Sequence, residues 1–391
     1  MDATPGGAVT NETRPPQVDV AADWSIASGA VLVAVIILGI FVNLFIVIAI
    51  LSSRRLRRRI TDVLCCHLAL VGIVWCALLL PLNAAAAFAG GWPLHADGSG
   101  GGLCHVHGYA QATLVHVMVW TIAILGWNKY RTITTPLRRV STINRQRMAA
   151  VLLPTWAIGI ALSCIPLISG SGVGNYGYGR VVAACVYEPS LTTDDGPTVA
   201  SIVYSVAMAV FGFLLPVGVT THAYVRIYTI ARWHRKRIAV MSAVVHVITL
   251  SVGVPMSGQG LPEISPQTGD KSPQAEDPAA EQAATQGRDR KSLRNVLAFV
   301  VALVLCYAPH YTLIAVAPIV RRPAYPSYSP FSSLQFPVPV EVLSGIAVLA
   351  SPAVNGFVYG VRNRAMIRSF RRFIRPPPLG DRLQRHLVSI V

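Results

Sequence analysis

Charge is what this chain of 391 residues has least of. Only 13% of its residues are Asp, Glu, Lys or Arg, and the 17 acids are outnumbered by 33 basic side chains. The scarcity is concentrated in long runs, and residues 295–320 contain no charged side chain at all. An α-helix rises ~1.5 Å per residue, so ~20 residues cross the ~30 Å hydrocarbon layer of a bilayer. Seven apolar stretches approach or exceed that length, near 25–51, 62–86, 105–127, 148–169, 199–229, 295–320 and 338–360. A soluble domain would not supply seven of them. The expected fold class is therefore an all-α membrane protein with a seven-transmembrane helix bundle.

Other absences narrow the function. No nucleophile–base pair, metal-ligand cluster or phosphate-binding loop is present, so neither an enzyme nor a resident metal or cofactor is expected. The amino terminus lacks a basic segment followed by a short apolar core. No cleaved signal peptide is expected, and the first span would serve as the anchor. Five of the seven cysteines, Cys65, Cys66, Cys76, Cys164 and Cys306, fall in apolar spans and read as packed thiols. Cys104 and Cys185 fall outside, where oxidation is permitted.

What charge there is sits at the span ends. Residues 1–24 carry Arg14 against four acids, and the chain after Val361 carries eight arginines against Asp381. Arg54, Arg55, Arg57, Arg58 and Arg59 separate spans one and two. Lys129, Arg131, Arg138, Arg139, Arg145 and Arg147 separate spans three and four. Short basic loops remain in the cytosol. Residues 1–24 then form an extracellular tail, 25–360 the bundle, and 361–391 a cytosolic tail. Asn11-Glu12-Thr13 is a glycosylation acceptor on the outer side. The basic side chains mark membrane edges rather than one folded face, which excludes nucleic acid as a partner and leaves membrane lipid. The apolar run at 239–255 is expected to extend span five or lie at the interface rather than cross. Residues 255–287 are rich in Pro, Gly, Gln, Glu and Ala and read as a disordered third inner loop. Pro81, Pro166, Pro216, Pro309 and Pro352 should bend their helices.

Ten short signatures occur in order along the spans. They include Asn43, Leu68-Ala69, Cys104, Asn128-Lys129-Tyr130, Trp156, Pro216, Tyr224, Cys306-Tyr307-Ala308-Pro309 and Asn355-Gly356-Phe357-Val358-Tyr359. In this pattern the chain resembles the rhodopsin-like (class A) G-protein-coupled receptors from span one to Phe373. The alternation of Arg with Phe, Ile and Met over 363–373 resembles their short amphipathic eighth helix. The resemblance implies a Cys104–Cys185 disulfide and a plasma-membrane receptor whose partners are a heterotrimeric G protein and an extracellular ligand. It also implies a switch in which span six swings outward at Pro309. The swing would open a cleft lined by Lys129, Tyr224 and Tyr359, with Arg232–Arg237 and Arg288–Arg294 on its flanks.

The chain departs from the family at several switch positions. Its Asp-Arg-Tyr is Asn128-Lys129-Tyr130, and Lys lacks the planar multi-donor fork of Arg. Gly72 and Met118 replace two sodium-binding residues. Tyr307 replaces the toggle Trp, and Gly356 replaces the proline of Asn-Pro-x-x-Tyr, with Pro352 one turn earlier. Asp289 lies twenty residues before Pro309, ~30 Å along a helix, where the family's latch acid would face Lys129.

Polar groups inside a bilayer face the bundle interior. Tyr307, His310 and Tyr311 share one face of span six, Gln111 and His116 lie in the outer half of span three, and Glu341 stands at the mouth of span seven. These six are the candidate ligand contacts, or hydrogen-bond partners of one another. Residues 105–127 contain no acid, and Gln111 stands where aminergic receptors of the family keep a carboxylate. Residues 339–360 contain no Lys, so retinal has no Schiff-base site. Two rival readings are a signalling-silent receptor acting through a dimer and a membrane transporter. The charge asymmetry of the two tails makes a direct prediction. An epitope at residue 5 should be labelled on intact cells and one at residue 388 should not. Labelling of both from outside would overturn a count of seven spans.

Overall fold

The computed structural model describes residues 20–93, 101–134, 145–168, 170–179, 182–190, 197–251, 300–316, 338–361 and 363–375. Among these residues five helices are long and apolar enough to cross a bilayer: Ile26–Leu51, Ile60–Ala89, Gly102–Thr134, Met148–Leu167 and Val199–Met241, which are spans one to five. Val300–Val316 is the described part of span six. Span seven is broken, with Pro339–Leu349 and Ser351–Gly360 meeting at 47°. The helix of span five runs on to Ser251, so the described part of the apolar run at 239–255 lengthens an existing helix.

The prolines set the helix geometry. Proline has no N–H, and the carbonyl four residues earlier loses its partner. Pro81 and Pro216 are each preceded by a wide π-turn, Trp75–Leu79 and Val210–Leu214. In these turns the Leu80 and Leu215 amides reach back five residues, to the Trp75 and Val210 carbonyls. Span seven breaks at Ala350, two residues before Pro352, and ends in a third π-turn, Phe357–Val361. Pro154 lies within the helix of span four, an interior proline that the sequence reading passed over.

The core of the bundle is knitted by single polar bonds. Asn43 Nδ2 donates to the Gly39 carbonyl at 2.8 Å and, across to span seven, to the Pro352 carbonyl at 3.2 Å. Trp75 Nε1 donates to the Leu349 carbonyl at 3.2 Å, joining spans two and seven. Trp156 Nε1 donates to His67 Nε2 at 3.0 Å, joining spans four and two. That bond leaves the His67 proton on Nδ1, 3.5 Å from Thr121 Oγ1 of span three.

Outside the membrane, strands β1 (Gly174–Gly179) and β2 (Ala184–Pro189) form an antiparallel hairpin with Tyr178 opposite Cys185. This small sheet is an addition to the helical class. A disulfide joins Cys185 to Cys104 at the head of span three, closing 81 residues. Tyr176 donates to the Ser163 carbonyl at 2.8 Å and Tyr178 to the Ala86 carbonyl at 3.3 Å, so the hairpin is bolted to spans four and two as well. At the opposite end a terminal helix, Arg364–Ile374, packs on the foot of span one. Its Phe370 ring lies 4.6 Å from that of Phe45, and Ser369 Oγ donates to the Ala49 carbonyl at 2.7 Å.

Gly356 stands where the family carries proline. A Cβ there would lie 2.9 Å from Val42 Cγ1 and 3.0 Å from Asn43 Oδ1. The Gly356→Pro variant should therefore destabilise the bundle, by about 1–3 kcal/mol for overpacking. A lower unfolding midpoint in detergent would register this, and an unchanged or higher midpoint would contradict it.

Candidate functional site

Two places gather the functional side chains, one near each end of the bundle. The outer one is a cavity of about 60 Å³ between spans two, three, five, six and seven, roofed by the β-hairpin. Gln111, His116, His310 and Tyr311 all line it. Tyr307 and Glu341 do not. Tyr307 lies deeper, 0% exposed, and Glu341 is buried at the top of span seven.

Gly212, inside the π-turn of span five, creates the close approach at the cavity floor. A Cβ there would meet His116 Nε2 and the Tyr311 hydroxyl, each at 2.8 Å. His116 Nδ1 lies 2.6 Å from the Ala112 carbonyl. A carbonyl only accepts, so Nδ1 carries the proton and the neutral ring turns an acceptor nitrogen toward the cavity. Neither His116 Nε2 nor Gln111 Nε2 has a hydrogen-bond partner. The cavity thus offers at least one acceptor, His116 Nε2, and the amide donors of Gln111. No acid is among the described residues that line it.

The hairpin accounts for the small volume. Its turn carries Val182, whose Cγ1 would lie only 2.3 Å from a Cβ on Gly345 of span seven. A volume of about 60 Å³ is far below the ~300–1,000 Å³ of ordinary ligand pockets. Burial pushes the Tyr187 phenol of this hairpin up to about 12, so it stays neutral and donates to the Val173 carbonyl at 2.8 Å.

Below the cavity lies a neutral polar layer. Tyr307 donates to Ser351 Oγ at 2.9 Å and stands 3.4 Å from Asn355 Nδ2. A Cβ on Gly72 would meet Asn43 Nδ2 at 2.9 Å, so the Asn43 amide fills the space beside Gly72. Met118 is fully buried. A hard cation seeks several oxygen ligands, including carboxylates, and this layer offers only neutral ones.

The inner place centres on Lys129. Its Nζ lies 3.4 Å from the Tyr224 hydroxyl, 5.8 Å from the Tyr224 ring centroid and 5.3 Å from that of Tyr359. A span-three cation is thus held between rings of spans five and seven. Asn128 turns the other way, donating to Thr61 Oγ1 of span two at 3.0 Å. Tyr130 packs by its ring against Trp127 and against His222 of span five. Asp62, next to Thr61, is buried, and its Oδ2 has no hydrogen-bond partner. The charges of Arg59 and Lys129 both act on it. Sequence reasoning treated Asp62 as a span-end charge, and no sequence signal marked it out, because its neighbour Thr61 becomes the partner of Asn128 only in the folded bundle. Pro309 lies in the span-six helix, exposed on its outer side. Asn11 and Asp289 fall outside the described residues.

Sodium chloride, compared with choline chloride at equal ionic strength, should leave the unfolding midpoint unchanged. A saturable sodium-specific rise that disappears in Asn355→Ala would show that the neutral layer binds the ion after all.

Known proteins supply the last observation. A trace amine-associated receptor of Petromyzon marinus is 29% identical over 220 residues, covering 55% of this chain and 56% of its own. A D(1B) dopamine receptor of Xenopus laevis is 24% identical, over 55% of this chain and 44% of its own. A 5-hydroxytryptamine receptor 5B of Rattus norvegicus is 25% identical, over 62% and 60%. The chain spans about half the length of these curated relatives. The family model for the 7 transmembrane receptor (rhodopsin family) matches residues 42–359, from the Asn43 bridge to the Tyr359 ring over Lys129. The chain therefore belongs to the rhodopsin family of seven-transmembrane, G-protein-coupled receptors.

Proposed function

We propose that the chain is a plasma-membrane receptor, amino terminus outside, that passes an extracellular signal or its own basal activity to heterotrimeric G proteins. The observation that carries this reading is Lys129 lodged between Tyr224 and Tyr359. The three residues lie on spans three, five and seven, and the proposed swing of span six at Pro309 would open the space beside them. Lys129 would then exchange its aromatic partners for the G protein.

The ligand is proposed to be uncharged, neither a biogenic amine nor retinal. A primary amine at neutral pH is a cation and seeks a carboxylate in a dry site. Gln111 provides an amide instead, and His116 Nε2 provides a lone pair. Dopamine and tyramine, which name some of the relatives, would lack their counter-charge here. The small volume of the cavity supports a second reading, a signalling-silent receptor that acts in a dimer.

A second-messenger panel in cells expressing the chain, first without ligand and then with dopamine and tyramine, tests this. Basal signal above mock-transfected cells and no response to either amine are expected. Silence across every G-protein class at verified surface expression would favour the dimer reading. We also propose a Lys129–Asp289 pair at the water-exposed end of span six, worth only ~0–1 kcal/mol. Asp289→Asn should raise basal signalling a few-fold, while Lys129→Ala should lower it by removing the G-protein contact. An unchanged basal signal in Asp289→Asn at matched expression would eliminate the pair.

A further inference from the structure

The foot of span one, the short helix Arg54–Arg57 and the terminal helix Arg364–Ile374 enclose a cleft of about 570 Å³. Its size is within the ~300–1,000 Å³ typical of ligand sites. Five arginines line it: Arg54, Arg55, Arg59, Arg368 and Arg372. No acid is among the described residues that do so.

The walls are fixed by packing rather than by the arginines. Ser53 caps the Arg54–Arg57 helix by accepting from the Leu56 amide at 3.4 Å, and Leu56 is buried. On the other wall Met366 is fully buried, and Ser369 is tied to the Ala49 carbonyl. Five like charges converge on one concave space at the cost of mutual repulsion, which a bound polyanion would offset. Arginine suits phosphate above other anions because its planar fork matches two phosphate oxygens at once.

The neighbouring surface says where that phosphate comes from. On the terminal helix Phe373 is 58% exposed and Ile374 61% exposed, beside the arginines. A short helix with basic and large apolar side chains lies in the membrane interface, with its apolar side ~5–10 Å into the acyl boundary. The cleft is then at headgroup depth, on the face the proposed orientation puts in the cytosol. A second cleft shares Arg372 and adds Arg371 and Arg375, continuing the basic strip along the interface.

We propose that this cleft binds the headgroup of a polyphosphorylated inositol lipid. Each phosphate monoester carries about −1.5 to −2 at neutral pH. Two of them approach the charge of the five arginines, whereas a phosphatidylserine headgroup carries a single net negative charge. The site is separate from the ligand cavity and the Lys129 cage, and its test does not depend on signalling.

The full chain would be placed in nanodiscs of phosphatidylcholine alone, with phosphatidylserine, or with phosphatidylinositol bisphosphate at matched mole fraction. Retained lipid would be counted by native mass spectrometry. Selective retention of the bisphosphate is expected. Arg55→Gln and Arg372→Gln should each reduce it roughly fivefold, the effect of one arginine at a membrane surface. Arg226→Gln, a loss of one charge outside the cleft, should not. Arg55→Lys and Arg372→Lys keep the charge without the fork and should fall between; they carry the test if a Gln variant fails to fold. Equal retention of phosphatidylserine, or full retention by the cleft variants, would overturn the proposal. So would soluble inositol trisphosphate binding as tightly as the lipid, which would make the ligand a free polyphosphate. Displacement of the lipid by a phosphorylated peptide at lower concentration would instead make the cleft a protein-docking surface, and the lipid assignment would fall.

Discussion

Backbone polar groups in the membrane interior must find their partners inside the protein, because the surrounding hydrocarbon offers none. The arrangement of this bundle follows from that constraint. The π-turns ahead of Pro81 and Pro216 keep the Leu80 and Leu215 amides bonded, to carbonyls five residues back, next to each interruption of the usual ladder. Asn43, Trp75 and Trp156 each spend a side-chain N–H on a group of another helix. A buried polar group left unmade costs about 1–3 kcal/mol, more than an exposed ion pair supplies. Hydrogen bonds donated by neutral side chains therefore tie spans one, two, four and seven together.

The same substitution recurs along the bundle axis, with charge replaced by neutral or aromatic chemistry. Gln111 stands outermost, the Tyr307–Ser351–Asn355 network lies in the middle, and the tyrosines around Lys129 lie innermost. Cation–π contacts contribute about 0.5–2 kcal/mol, the larger values when desolvated. Two rings at Lys129 are thus at least a match for a water-exposed carboxylate. The aromatic cage, more than any acid on span six, would set the resting position of this lysine.

The spans were legible in the sequence because crossing a bilayer demands length and apolarity, which a string of residues displays directly. The Cys104–Cys185 bridge and the amphipathic helix over 364–374 were legible through the family pattern. Partner choice was not. Nothing near His67 in sequence points to Trp156, 89 residues away, and Gly212 gains its meaning only where Tyr311 and His116 converge. The hairpin was hidden because Gly174–Gly179 has three glycines and no alternation of apolar side chains. Tyr307 and Glu341 share helix faces with cavity residues but sit at other depths, and helical spacing reports the face better than the depth.

The contact between Val182 and Gly345 reaches beyond this one molecule. The space is filled from the loop side, so residue 345 can grow only if residue 182 shrinks. The two positions lie 163 apart in the chain, yet they should vary together among related receptors. A lineage that exchanges the bulk between them would move the roof of its outer cavity from the loop to the helix, and with it the route by which small molecules enter.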